Sequence, residues 1–226
     1  LRERKTDINS MNDGISRFCV GLAKKTLLAN SCASILDMLI PESMSQIGSA
    51  TVLAAWFGGL MYMLQIYLDF SAYSDMAIGL GKMTGFHYKE NFNYPYTAVS
   101  VTDFWRRWHI TLGTWMKDYI FYPLSLSKAM NHFGKWSKKH FGTTFGRTLP
   151  ICFANLLIFF LVGIWHGAAW KYIAYGMYNG VIIAFSNLME PVYHKGIEFF
   201  HVKTESRGWK LFQIFRTFVL VNIGWY

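Results

Sequence analysis

The chain has 226 residues, 53% of them hydrophobic, 18% aromatic and only 15% charged, with a formal net charge of +9. Soluble domains carry about 25% charged residues, and here the apolar residues come in long uncharged blocks, so an ordinary soluble globular domain is excluded and a polytopic membrane protein is expected. No nucleic-acid-binding motif accompanies the basic charge, so nucleic acid is not an expected partner.

The first 16 residues are polar and basic and are expected at the cytoplasmic surface. Arg17–Ile40 is moderately apolar but broken by Lys24 and Lys25, which predicts an interfacial or tilted helix. Pro41–Gln46 reads as a loop. Ile47–Leu68 holds no Lys, Arg, Asp or Glu; about 20 such residues cross the hydrocarbon core. The run continues as YLDFSAYSDMAIGLGKMTGF (67–86), where Ser71, Ala72, Ser74, Ala77, Gly79 and Gly81 allow close helix packing. Asp69 and Asp75 interrupt it and are expected to face protein or a wet cavity, because carboxylates are costly at membrane depth.

His87–Ser100, punctuated by NFNYP, reads as a loop. Asp103–Leu124 is aromatic-rich yet too charged for a lipid-exposed span. If helical, it aligns Asp103, Arg107, Thr111, Thr114 and Asp118 on one face. Asp103 and Arg107 are then placed to pair, and His109 points elsewhere, with Trp105 and Leu112. Two readings fit: an interfacial helix with an aromatic belt, or a helix lining a polar cavity.

Lys128–Arg147 reads as a basic loop. Thr148–Trp165 and Ala169–Met189 are predicted to form a hairpin of spans around His166 and Gly167, Thr148–Trp170 and Tyr172–Met189 being uncharged. Glu190–Lys210 reads as a second basic loop, and Leu211–Tyr226 as a weaker apolar run. With both basic loops in the cytoplasm, His166 lies between mid-membrane and the outer face. It is either an interfacial histidine among belt tryptophans or a functional group. An imidazole at the end of a charge-free span can accept and return a hydroxyl proton, and Gly167 with its following alanines is expected to leave room for a substrate.

Cys19, Cys32 and Cys152 show no metal-ligand spacing. Cys152 lies about 21 Å from His166 along a straight helix, which excludes a dyad between them. No serine elbow, zinc-binding helix motif or phosphate-binding glycine loop occurs. A histidine base acting on a hydroxyl, or a transporter without chemistry of its own, remains. The chain opens without Met and stops inside an apolar run, so a piece of a longer membrane protein is expected.

Five segments together resemble the membrane-bound O-acyltransferase family: RFCVGLAKKTLLAN (17–30), YLDFSAYSDMAIGLGKMTGF (67–86), ENFNYPY (90–96), TDFWRRWHITLGTWMKDYIFYPL (102–124) and VGIWHGAAWKYIAYGMYNG (162–180). They stand in the family's order and look most like its bacterial alginate O-acetylation branch; the branch that transfers D-alanine to teichoic acid shares the skeleton. The sequence departs from the alginate type after TyrIlePheTyrProLeu, where SLSKAMNHFGKWSKKHFG replaces a Gly-Gly-Asn loop.

The resemblance implies an all-α bundle of membrane helices around a funnel or tunnel, as one domain over 1–226 that lacks N-terminal helices and is truncated at the C-terminus. It implies a multi-pass plasma or inner membrane location and acyl transfer from a thioester to a hydroxyl. The family's hallmark histidine matches His166 and its second motif histidine matches His109. Asp103, Arg107, Trp105, Trp165, Asp118, Asp69, Asp75 and Asn93 are expected to support the substrate tunnel. Acetyl-CoA is the expected donor, with no resident cofactor or metal. The expected partners are the bilayer, the acyl thioester, and an extracytoplasmic polysaccharide or an accessory acetyltransferase outside the membrane.

Overall fold

The computed structural model describes residues 7–40 and 51–225. The expected loop at Pro41–Gln46 and the start of the first span at Ile47 lie outside them. All regular structure among the described residues is helical: α1 (Ile8–Ala23), a π-helical turn (Lys24–Ala29), α2 (Asn30–Leu39), α3 (Val52–Met83), α4 (Val101–Arg107), α5 (Ile110–Met116), a second π turn (Lys117–Phe121), α6 (Tyr122–Ser125), α7 (Lys128–His166), α8 (Trp170–Phe199) and α9 (Arg207–Trp225). They divide into two compact units, one reaching to Asn93 and one running from Tyr94 to Trp225.

In the first unit, α1 packs on α3 at glycine-sized contacts. A Cβ on Gly14 would lie 2.7 Å from the Gly79 carbonyl, and one on Gly21 2.8 Å from the Ala72 carbonyl. The expected small-residue face of α3 is therefore the face that meets α1. Of the two acidic residues of α3, Asp75 faces protein, as expected, while Asp69 is more open. Asp75 is 8% exposed and takes Arg17 at 2.6 Å and Lys24 at 2.5 Å, while Asp69 pairs with Lys25. The π turn at Lys24–Ala29 carries both lysines. Lys24 and Lys25, which interrupt the apolar run, are partners of those carboxylates. On the outward face, Val52, Leu53 and Trp56 are more than 70% exposed, as suits a helix bordered by hydrocarbon.

In the second unit, α7 is not the single rod that its residue range suggests. Gly142 has φ 76° and ψ 175°, a left-handed conformation that glycine adopts without cost. A Cβ there would meet nothing within 4 Å, so the requirement is conformational rather than spatial. The chain folds back at this residue. Ser137 Oγ donates to the Gly146 carbonyl at 2.7 Å, a Cβ on Gly146 would lie 2.5 Å from Lys138 Cα, and the rings of Phe133 and Phe153 are 6.1 Å apart. The expected basic loop Lys128–Arg147 is thus corrected to a helical hairpin. Its first arm, 128–141, carries Lys128, Lys135, Lys138 and Lys139, and Met130 and Ser137 on it are buried, Ser137 against the second arm.

The second arm, 143–166, is about 36 Å long and packs antiparallel to α8, as the sequence predicts. A Cβ on Gly163 would lie 2.6 Å from the Tyr172 carbonyl, and one on Gly176 2.2 Å from the Phe159 carbonyl. Helix α8 runs to Phe199, so the expected second basic loop is helical over its first half. Among the described residues, α3 and α7 are long and apolar enough to cross a membrane. Helix α8 covers the third expected span but is diluted by tyrosine, glycine and asparagine.

Candidate functional site

The sequence prediction of one continuous helix over 103–118 is corrected by a break. Helix α4 ends at Arg107, Trp108 is extended, and His109 sits in the left-handed region with φ 47° and ψ 51° before α5 begins. The polar stripe from Asp103 to Asp118 is therefore not continuous. A non-glycine residue in this region stores of order 1–3 kcal/mol and persists only where its surroundings hold it. Here the hold is aromatic. Trp108 is 4% exposed and packs against Phe104, Tyr96 and Trp225 at 5.6, 6.4 and 5.1 Å between ring centroids.

Asp103 organises the start of α4. Its backbone N–H donates to the Ser100 hydroxyl at 3.0 Å, its carboxylate accepts from the Val99 N–H at 3.2 Å, and it accepts from Arg107 Nε at 3.0 Å. The expected Asp103–Arg107 pair is present, as an N-terminal cap with a helical i,i+4 bridge. Trp105 is fixed from both sides: its indole N–H donates to Asn179 Oδ1 at 3.2 Å, and its ring meets Phe159 and Tyr175 edge-on at 5.2 and 6.3 Å.

His166 is the last residue of α7. Its ring lies 4.9 Å from that of Trp165, 6.2 Å from Tyr172 and 5.8 Å from Tyr175. The His109 ring also meets Trp165, at 6.1 Å. The two imidazoles thus flank one indole. Gly167 does not leave the open space expected of it. A Cβ there would lie 2.6 Å from the Tyr172 ring, so the glycine makes room for that tyrosine beside the histidine.

A cavity of about 520 Å³ opens beside His109. Trp105 and Arg106 of α4, the helix break, Lys117, Asn155 and Val162 of α7, and Ile183 and Asn187 of α8 all contribute to its walls. His166, Trp165, Asp103, Arg107 and Asp118 are not on its lining. Asp118 is exposed on the second π turn. Asp69, Asp75 and Asn93 belong to the first unit, the aspartates in ion pairs and Asn93 at an exposed position.

Sequence reasoning passed over Tyr172, Tyr175, Asn179, Asn155 and Asn187. Spacing offered a signal for the first three, which follow His166 on α8 at helical intervals. The asparagines are uncharged, so a search for breaks in charge-free runs does not register them.

The family model of the membrane-bound O-acyltransferases matches residues 14–223. A probable alginate O-acetylase of Azotobacter vinelandii is 40% identical over 185 residues, 81% of this chain and 32% of that protein. A peptidoglycan O-acetyltransferase of Helicobacter pylori is 32% identical over 213 residues, 94% of this chain and 35% of that protein. A teichoic acid D-alanyltransferase of Bacillus subtilis is 28% identical over 217 residues, 94% of this chain and 49% of that protein. The chain spans between a third and a half of the length of these relatives. With its helix order, its paired histidines and a family match over nearly its whole length, the chain belongs to the membrane-bound O-acyltransferase family.

Proposed function

We propose that this chain is the catalytic part of a multi-pass inner-membrane O-acetyltransferase. It takes acetyl groups from a cytoplasmic thioester, acetyl-CoA, and delivers them across the bilayer to hydroxyls of an extracytoplasmic polysaccharide, directly or through an accessory acetyltransferase outside the membrane. The observation that carries this reading is the pair His109 and His166 on either side of Trp165, beside a cavity that His109 lines.

His166 is the general base. It takes the proton of the acceptor hydroxyl as the oxygen attacks the acetyl carbonyl carbon. The C–S bond then breaks and the thiolate leaves, taking up a proton to become the free thiol, while the ester C–O bond is formed. His109 orients the thioester carbonyl from the cavity side. Trp105, locked by Asn179, and Trp165 hold the two rings in register. Asp103 and Arg107 keep the start of α4, and so the turn at His109, in place. The basic first arm of α7 suits an anionic donor at the cytoplasmic face. The aspartates of α3 support the fold of the first unit through their ion pairs.

A placed general base contributes about 10²–10⁴ in rate. His166→Ala is therefore expected to lower acetyl transfer from labelled acetyl-CoA in membrane vesicles by that factor, at unchanged protein abundance. Transfer at the parental rate overturns the assignment. The similarity to a D-alanyltransferase favours a second reading, D-alanyl transfer from a charged carrier protein. Labelled acetyl-CoA and labelled D-alanyl carrier, offered in parallel, separate the two.

A further inference from the structure

Asn155 on α7 and Asn187 on α8 both line the cavity and are both half-buried. Among the described residues neither side-chain amide makes a hydrogen bond, unlike Asn179, which is bonded at both ends. Both amides open onto the cavity, so their hydrogen-bonding groups are available to a ligand that enters it. Val162 and Ile151 also line this wall. The cavity therefore runs about 16 Å along α7, and Asn155 lies about 10 Å from the level of Val162. His109 stands at the Val162 end, because its ring meets Trp165. The asparagines lie toward the Gly142 turn and the lysines of the first arm.

We propose that Asn155 and Asn187 bind the amide-bearing arm of the thioester donor. This rests on the acyl-transfer reading above. An amide side chain offers one acceptor and two donors, the complement of a secondary amide. A pantetheine arm carries two secondary amides in a narrow flexible chain that ends in the thioester sulfur. With its amides at Asn155 and Asn187, the sulfur points along α7 toward His109. Arg106 and Lys117, also on the wall, supply positive charge for an anionic donor. A lipid tail, the rival occupant of so apolar a cavity, has no use for either asparagine. The two residues thus act as positioning and affinity residues for the donor, not for the acceptor.

The test compares acetyl-CoA with S-ethyl thioacetate, which has the thioester but no amide, using the full chain in membrane vesicles. Asn155→Leu and Asn187→Leu are each expected to raise KM for acetyl-CoA about tenfold, the size of a lost buried hydrogen bond. The kcat for acetyl-CoA changes less than twofold, and kcat/KM for S-ethyl thioacetate stays at the parental value. Asn155→Ser, which retains a hydrogen-bonding group, gives a smaller KM rise in the same direction. Unchanged or lower KM for acetyl-CoA in the leucine variants overturns the proposal in favour of a lipid-filled cavity. Equal losses with both donors overturn it in favour of a structural role. If the parental protein turns over neither thioester, the acyl-transfer reading itself fails and takes this proposal with it.

Discussion

The two units handle polar side chains in opposite ways. In the first, every acid on α3 is consumed by a cation of the α1 segment: Asp75 by Arg17 and Lys24, and Asp69 by Lys25. Arg17 also reaches Glu90 at 2.7 Å, which ties the loop after α3 to α1. In the second unit, no Asp or Glu occurs from Tyr119 to Met189. The polar groups on the cavity wall include the His109 imidazole, the cations Arg106 and Lys117, and the amides of Asn155 and Asn187, which make no hydrogen bond among the described residues. A polar residue inside an apolar bundle costs free energy in both units. Where the fold satisfies it, the residue is structural. Where the fold leaves it open beside a cavity, it is available to a ligand, and that difference supports the site proposed in the second unit.

The comparison breaks most visibly at Gly176. A side chain there collides with the Phe159 carbonyl, and backbone on both sides has nowhere to move. Gly176→Leu is expected to destabilise by about 3 kcal/mol or more, read as loss of folded protein in detergent extracts. Normal yield would show that the α7–α8 contact is not as close as described. Asp75→Ala follows. It strands Lys24 and leaves Arg17 with Glu90 alone, and is expected to cost about 2 kcal/mol, less than the loss of a fully buried pair. Thermal unfolding in detergent should shift down, while kcat per folded molecule stays at the parental value, which sharpens the division between a structural and a chemical unit. Asn179→Leu removes the acceptor of the Trp105 indole and should cost about 1 kcal/mol, with a loss of transfer rate because Trp105 lines the cavity. Lys25→Ala is expected to be mildest, below about 1 kcal/mol, since its bridge to Asp69 is exposed to solvent on both sides.

Much of this was legible beforehand because hydropathy and small-residue spacing act locally. The α7–α8 hairpin around His166, the glycine-faced α3 and the partnered carboxylates of α3 follow from the cost of charge in hydrocarbon and from the room that helices need to approach. The helix break at Trp108 and His109 was not legible, because helical periodicity across DFWRRWHITLGTW is unbroken. Only the burial of Trp108 among Phe104, Tyr96 and Trp225 holds His109 in a strained conformation. The basic segment 128–147 also misled. Its charge suggested a loop, whereas Gly142 lets two helical arms fold together and bury one face.

By itself the sequence determined that the chain is helical and built for a membrane, because charge density and apolar run length are properties of the chain that no packing can change, and its five motifs pointed to the membrane-bound O-acyltransferase family. It also singled out the two histidines, through the motifs that carry them. Tertiary structure alone decided which residues surround them: Tyr172 in the space left by Gly167, Trp105 pinned by Asn179, and two unpartnered asparagines on the cavity wall. The last two relations join residues tens of positions apart, and only packing brings such side chains into hydrogen-bonding reach or onto one wall.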